Sequence, residues 1–260
     1  MSESNEGTKK WSREQLKLAF HLYCQLPFGK LHSRNPEILE LAGIIGRTPG
    51  ALAMKLVNFA SLDPAITESG RVGLSGASRL DREIWSEFSD DWDGLTLQCV
   101  RLRQELGVAP ANDEADVQLV PEDYSGETRR VITEQRIGQS FFRRAVLSSY
   151  GGRCCMSGVA ESQLLIASHI VPWGKDKANR LNPRNGLCLS AIHDRAFDKG
   201  LISVSLEYQI LVSASLLESK NEFIVSTFAN LEGRHIELPE RFRPDREFLA
   251  RHRAEVFVGG

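Results

Sequence analysis

Residues 107–128 read GVAPANDEADVQLVPEDYSGET, with six acidic side chains, no basic one and no sustained apolar period. A stretch rich in Gly, Pro, Asn, Asp and Glu cannot bury a core of its own. It is therefore predicted to be a linker that divides the chain into a first unit at 8–106 and a second at 129–260. The full 260 residues suffice for one large domain or two small ones with real cores. No internal repeat is present.

The division also organises the charge. The formal net charge is -2, but it is unevenly spread: -1 over residues 1–106, -6 over 107–128, +7 over 129–205 and -2 over 206–260. The positive field sits on one segment of the second unit, where it suits a phosphate backbone. There is no run of about 18 apolar residues that would cross a membrane. The polar first ten residues lack the apolar core of a signal peptide. A soluble, cytoplasmic protein with no membrane partner is expected. The five cysteines, Cys24, Cys99, Cys154, Cys155 and Cys188, form an odd, scattered set, which argues against a disulfide framework.

The first unit reads as helical. Ser12 is placed to cap a helix in which Leu16, Ala19, Phe20 and Tyr23 recur at helical spacing. A second helix starts near Pro36 and carries Ile38, Leu41, Ala42 and Ile45. Gly46-Arg47-Thr48 interrupts it before a third helix from Pro49 through Leu52, Leu56 and Phe59. A short helix, a glycine turn and a restarted helix follow helix-turn-helix grammar. On that reading Arg47, Lys55 and Asn58 face DNA; on the other, the unit is a small helical bundle with an ordinary turn. A further charged helix begins at Arg79, Asp81, Arg82 and Glu83, and its role is structural.

The second unit carries the chemistry. From Tyr150 the chain runs YGGRCCMSGVAESQLLIASHIVPWGKDKANRLNPRNGLCLSAIHDRAFDKGLISV. Leu164 to Val171 is strand-like and ends at Pro172, Gly186 to Leu189 is a second strand, and Ala191 to Lys199 is a helix ending at Gly200. Two strands around a loop, followed by a helix, would bring His169, Asn185 and His193 together. His169 can take a proton near neutral pH. Asn185 can hold that imidazole through its side-chain amide, and His193, on the helix, can ligate a divalent cation that stabilises charge on a phosphate.

The pattern of Cys154, Ser157-Gly158, Ser168-His169-Ile170-Val171-Pro172-Trp173, Asn182-Pro183, Asn185-Gly186-Leu187, His193 and Phe197-Asp198-Lys199-Gly200-Leu201-Ile202 resembles the HNH endonuclease family with its ββα-metal centre. GRTPGALAMKLVNF in the first unit and PDREFLARHRAEVF at the end resemble segments that accompany the same branch. The resemblance implies an α+β chain, with a helical, helix-turn-helix-like domain, a linker and a ββα-metal nuclease domain whose core spans about 140–204. It further implies His169 as general base, Asn185 as its orienting partner and His193 as metal ligand. DNA is the implied partner, and homo-oligomers are compatible with the pattern.

Ser168 stands where many relatives place an Asp or His ligand just before the base. A serine hydroxyl is a weak ligand, so the hard oxygen that Mg²⁺ or Mn²⁺ prefers is expected from Asp198, ahead of Asp194. Each has a structural alternative, Asp194 in the helix's first turn and Asp198 near its end. One cysteine cluster and a lone Cys188 cannot supply paired zinc ligands, so buried thiols and no structural zinc are expected. There is no GxxxxGK[ST] loop. Ser157-Gly158 and the SGRVGLSGAS run from Ser69 read as turns, and Trp173 as packing for the loop after the base. Two functions follow: a nuclease of restriction or phage-defence type, or a DNA-binding regulator that keeps the fold without chemistry. The retained His169, Asn185 and His193 set favours the enzyme.

Overall fold

The computed structural model describes residues 10–68, 76–108 and 126–259. Most of the expected linker and most of the glycine-rich run after Ser69 lie outside the described residues. The chain is α+β. Helix α1 (Arg13–Gln25) starts with a capping box in which the Ser12 hydroxyl accepts from the Gln15 N–H and the Gln15 side chain accepts from the Ser12 N–H. Asn35 caps α2 (Pro36–Ile44) and Thr48 caps α3 (Pro49–Ala60), each with proline in the first turn. Gly46 joins α2 to α3 at φ 64°, a left-handed conformation that a side chain would strain. Helices α4 (Pro64–Glu68), α5 (Arg79–Phe88) and α6 (Trp92–Glu105) complete the first half. Helix α1 is its axis. The Phe20 ring meets Phe59 at 5.1 Å and Trp85 at 5.3 Å between centroids.

Helix α7 (Gly126–Ser149) begins inside the stretch whose composition reads as linker. Beyond it, β1 (Leu165–His169) pairs antiparallel with β2 (Gly186–Ser190), His169 lying opposite Gly186. Helix α8 (Ala191–Asp198) follows β2 directly. A second hairpin, β3 (Ile202–Val204) and β4 (Ile210–Val212), leads to α9 (Ala214–Leu217), α10 (Glu222–Thr227) and α11 (Arg246–Glu255). Gly186 is required by packing: a Cβ there would collide with the Val146 side chain and press on Phe142, both from α7. Among the described residues no helix is long and apolar enough to cross a membrane.

The two halves do not keep separate cores. Buried apolar residues form one cluster that runs from Leu16 on α1 to Leu249 on α11. Helix α7 is the reason. Its consecutive aromatics are about 100° apart around the helix, so they face different neighbours. Phe141 stacks on His21 of α1 at 4.9 Å, while Phe142 stacks on His169 of β1 at 3.9 Å. The C-terminal segment closes the same seam. Arg241 is fully buried, donates to the Tyr23 carbonyl and, at 2.9 Å, to the Ser148 hydroxyl, and lies over the Tyr23 ring. Phe242 beside it meets Trp92 edge-on at 5.5 Å.

Candidate active site

His169 sits at the last position of β1, where the strand leaves the hairpin. Its ring lies flat on Phe142 (3.9 Å, 9°) and is met edge-on by Trp173 (5.5 Å, 89°). Nε2 is 2.9 Å from the Arg180 carbonyl oxygen. A carbonyl only accepts, so in the neutral imidazole the proton resides on Nε2 and the lone pair on Nδ1. Burial holds the pKa of His169 below its ordinary value, partly offset by the Arg180 carbonyl and the charge of Asp198. The side chain is thus a neutral base at neutral pH, with one nitrogen fixed and the other kept as acceptor.

Asn185 does not hold that ring. Its Oδ1 accepts from the Val171 N–H at 2.8 Å, and its Nδ2 donates to the carbonyls of Val171 at 3.1 Å and Asn179 at 3.2 Å. The side chain, fully buried, imitates a neighbouring peptide unit. That is why β1 stops at His169 and not at the expected Val171: beyond His169, Asn185 satisfies the backbone in place of a ladder. The group that does meet the ring is the Arg180 main-chain carbonyl, which residue-type reasoning does not single out. Phe142 is the other unexpected neighbour; its only signal in the sequence is an aromatic pair inside the basic segment.

His193 is the residue expected to ligate the metal. It is 3% exposed and packs among Cys154, Ser190, Thr227 and Phe228. Nε2 donates to the Thr227 carbonyl at 3.2 Å, and Nδ1 faces the Ser190 hydroxyl at 2.7 Å and Cys154 Sγ at 3.8 Å. Both ring nitrogens thus have protein partners within the fold. The ring also meets Phe228 edge-on. Burial pushes the Cys154 thiol up, but hydrogen bonds centred on His193, Ser157 and the Met156 and Ser157 amides outweigh it and bring the pKa down to about 6. All five cysteines are free thiols in buried positions.

Helix α8, which carries His193, also carries carboxylates. Asp194 and Asp198 are one helical turn apart, on the same face. Asp194 is half-buried, and burial raises its pKa; the Ser168 hydroxyl lowers it, Asp198 raises it and Arg195 lowers it. Ser168 Oγ is buried beside Asp194, without a hydrogen bond that meets ordinary geometric limits. Two hard oxygen donors beside an unsatisfied buried hydroxyl suit a small divalent cation better than nitrogen-preferring metals. Among the described residues no three His, Cys, Asp or Glu side chains converge on one point. Such an ion would therefore keep water or phosphate oxygens in most of its shell, as Mg²⁺ commonly does.

The first unit's three candidates are each engaged within the fold. Lys55 is buried on α3, with Nζ at 2.9 Å from both carboxylate oxygens of Asp81 on α5. Its role is an internal ion pair, because a charge with no route to solvent is retained only beside its counter-charge. Arg47 donates to Gln15 Oε1 at 2.8 Å and to the Lys10 carbonyl, with its guanidinium 4.6 Å from the centre of the Trp11 ring. Asn58 is half-buried, with Gly76 packed beside its amide. What α3 leaves exposed is Met54 and Gly50, without a cation. The observed arrangement is a helical scaffold around α1.

Residues 154–205 match the family model described as HNH endonuclease. No curated protein matches the chain. The matched segment spans the first hairpin and α8, with His169, Asn185, His193, Asp194 and Asp198. Over this segment the chain is similar to HNH endonucleases, whose nuclease-type domain implies DNA as substrate.

Proposed function

We propose that the protein is a metal-dependent DNA endonuclease, of restriction or phage-defence type, in which His169 is the general base for phosphodiester hydrolysis. The observation that carries this reading is the state of one ring: His169 Nε2 is spent on the Arg180 carbonyl, which leaves the lone pair on Nδ1, and the charge of Asp198 on α8 acts on the same side chain. Nδ1 accepts a proton from the attacking water. The resulting imidazolium keeps its Nε2–H on the carbonyl, and Phe142 prevents the ring from turning. Asp194 and Asp198, with the Ser168 hydroxyl, are the residues that would hold the divalent ion, Mg²⁺ or Mn²⁺. That ion would supply Lewis-acid stabilisation of charge on the phosphate and the leaving oxygen. Arg195 and Lys199, exposed at the same helix, add positive charge for the backbone of the substrate. Asn185 contributes indirectly, by fixing the loop that returns Arg180 to the base.

The test is cleavage of plasmid DNA from modifying and non-modifying hosts, with Mg²⁺, Mn²⁺, Ni²⁺ or chelator. Calorimetric titration of Mn²⁺ into the parent, Asp194→Asn and Asp198→Asn accompanies it. Metal-dependent cutting is expected, with Mn²⁺ affinity about 10–100-fold weaker in either variant. A parent that cuts under none of these conditions sinks the enzymatic reading, and undiminished Mn²⁺ affinity in both variants moves the ligands elsewhere.

A further inference from the structure

We infer that Asp93, on helix α6 of the first half, is a positioning residue for His169 and acts through Arg180. The inference rests on the reading of His169 as the base. Arg180 is bound at two points. Its carbonyl accepts from His169 Nε2 at 2.9 Å, and its Nε and Nη2 both donate to Asp93 Oδ1 at 3.1 Å. Between these ends its guanidinium lies 5.2 Å from the centre of the Trp173 ring, whose edge in turn meets the His169 imidazole. The three groups around that ring therefore differ in origin. Phe142 belongs to α7 and is held by the core. Trp173 and the Arg180 carbonyl belong to the irregular segment between β1 and β2, and Asp93 ties that segment to α6.

The ion pair is partly exposed, 36% on Arg180 and 27% on Asp93, so as a stabilising contact it is worth little. Its geometry matters more. A cavity of about 130 Å³ opens beside it, lined by Asp93, Thr96, Gly138, Trp173, Arg180 and Leu181. Once released from Asp93, the guanidinium has space to move into, and the carbonyl of the same residue is free to turn away from Nε2. Without that acceptor the imidazole is no longer committed to the Nε2–H tautomer, and Nδ1 is the lone-pair nitrogen for only part of the time.

The experiment uses the full chain labelled with ¹⁵N-histidine. Imidazole nitrogen shifts of His169 report its tautomer without reference to activity, and single-turnover cleavage is measured on the same samples. The parent is expected to show a fixed Nε2–H form. Asp93→Asn, nearly isosteric, and Arg180→Gln, which breaks the pair from the other side but keeps the carbonyl, are both expected to give a tautomer mixture. Their rate should fall about tenfold, the scale on which loss of an orienting partner acts, with KM unchanged. Asp93→Glu should recover part of the rate. Glu68→Gln, which breaks another ion pair between the halves, to Arg243, should alter neither. Parent-like shifts and rates in both Asp93→Asn and Arg180→Gln would overturn the inference, as would an equal loss in Glu68→Gln. If the parent itself does not cut, the nuclease reading fails, and the tautomer comparison still decides whether Asp93 positions the ring.

Discussion

The ββα unit contains the same side chain in two opposite environments. At His169 one ring nitrogen is bound to a main-chain carbonyl, the other keeps its lone pair, and the charge of Asp198 on α8 acts on the ring. At His193, only a short distance along the same unit, both nitrogens are bound, the ring is buried, and its partners are a serine, a thiol and a carbonyl. Both histidines fit the spacing of a catalytic set. The difference teaches that a motif histidine is available for chemistry only where the fold leaves one nitrogen unsatisfied and gives it a route to substrate. His193 packs the helix on which Asp194 and Asp198 are carried.

The sharpest way to break that comparison is His169→Ala. Removal of a general base costs about 100- to 10,000-fold in rate, and Mn²⁺ affinity should survive. Single-turnover rate and calorimetry on one preparation decide this, since simultaneous loss of metal would make His169 a ligand. Next in size, Lys55→Met leaves Asp81 fully buried without its counter-charge. A loss of about 3–5 kcal/mol in urea unfolding is expected, with DNA affinity of the folded protein unchanged. Weakened DNA binding at parental stability would return α3 to the role of a DNA-reading helix.

His193→Ala sharpens the comparison from the other side. It strands the Ser190 hydroxyl and the Thr227 carbonyl, for an expected loss of about 1–3 kcal/mol, while Mn²⁺ binding by the folded protein persists. A variant of parental stability that no longer binds Mn²⁺ would restore His193 as a ligand.

The most gradual effect, spread over pH, comes from two other buried histidines. Burial, with Arg103 and Arg144 nearby, brings His21 down to about 3. Burial, partly offset by the Phe197 carbonyl, brings His252 down to about 4. Both folded values lie below the unfolded value of about 6.5, so below that pH the unfolded chain binds more protons. Stability should then fall with falling pH by about 1.4 kcal/mol per unit for each histidine, until the folded values are reached. Chemical denaturation from pH 7 to 4 measures it. A flat profile would mean that these rings are not sealed, and with His21 would go the stacking that joins α1 to α7.

Much of the local structure was legible in the residues. Ser12 with Gln15, Thr48 with Pro49, and Gly46 at its turn set helix ends through partners only a few positions away. The order strand, loop, strand, helix over 165–198 followed from apolar runs, Pro172 and Gly200. The acidic composition misled at one end, because α7 starts at Gly126. At the site, the sequence singled out His169 as the candidate base and Asp198, ahead of Asp194, as the candidate oxygen ligand; the structure adds that the two carboxylates share one face of α8. The partners of His169 were not legible. Arg180 acts through a carbonyl that every residue possesses, and Phe142 through its place on a helix from another part of the chain.

By itself, then, the sequence determined whatever depends on near neighbours: caps, turns and the succession of elements. Tertiary structure decided which polar groups keep a free valence. Lys55 meets Asp81 across two helices, Asn185 meets Val171 across a loop, and Arg241 reaches Tyr23 from the far end of the chain. The same residue types, exposed, would have read as DNA contacts, a histidine partner and a surface cation. Burial removed water as the alternative partner, so each group had to take its hydrogen bonds from whatever the packing brought within reach.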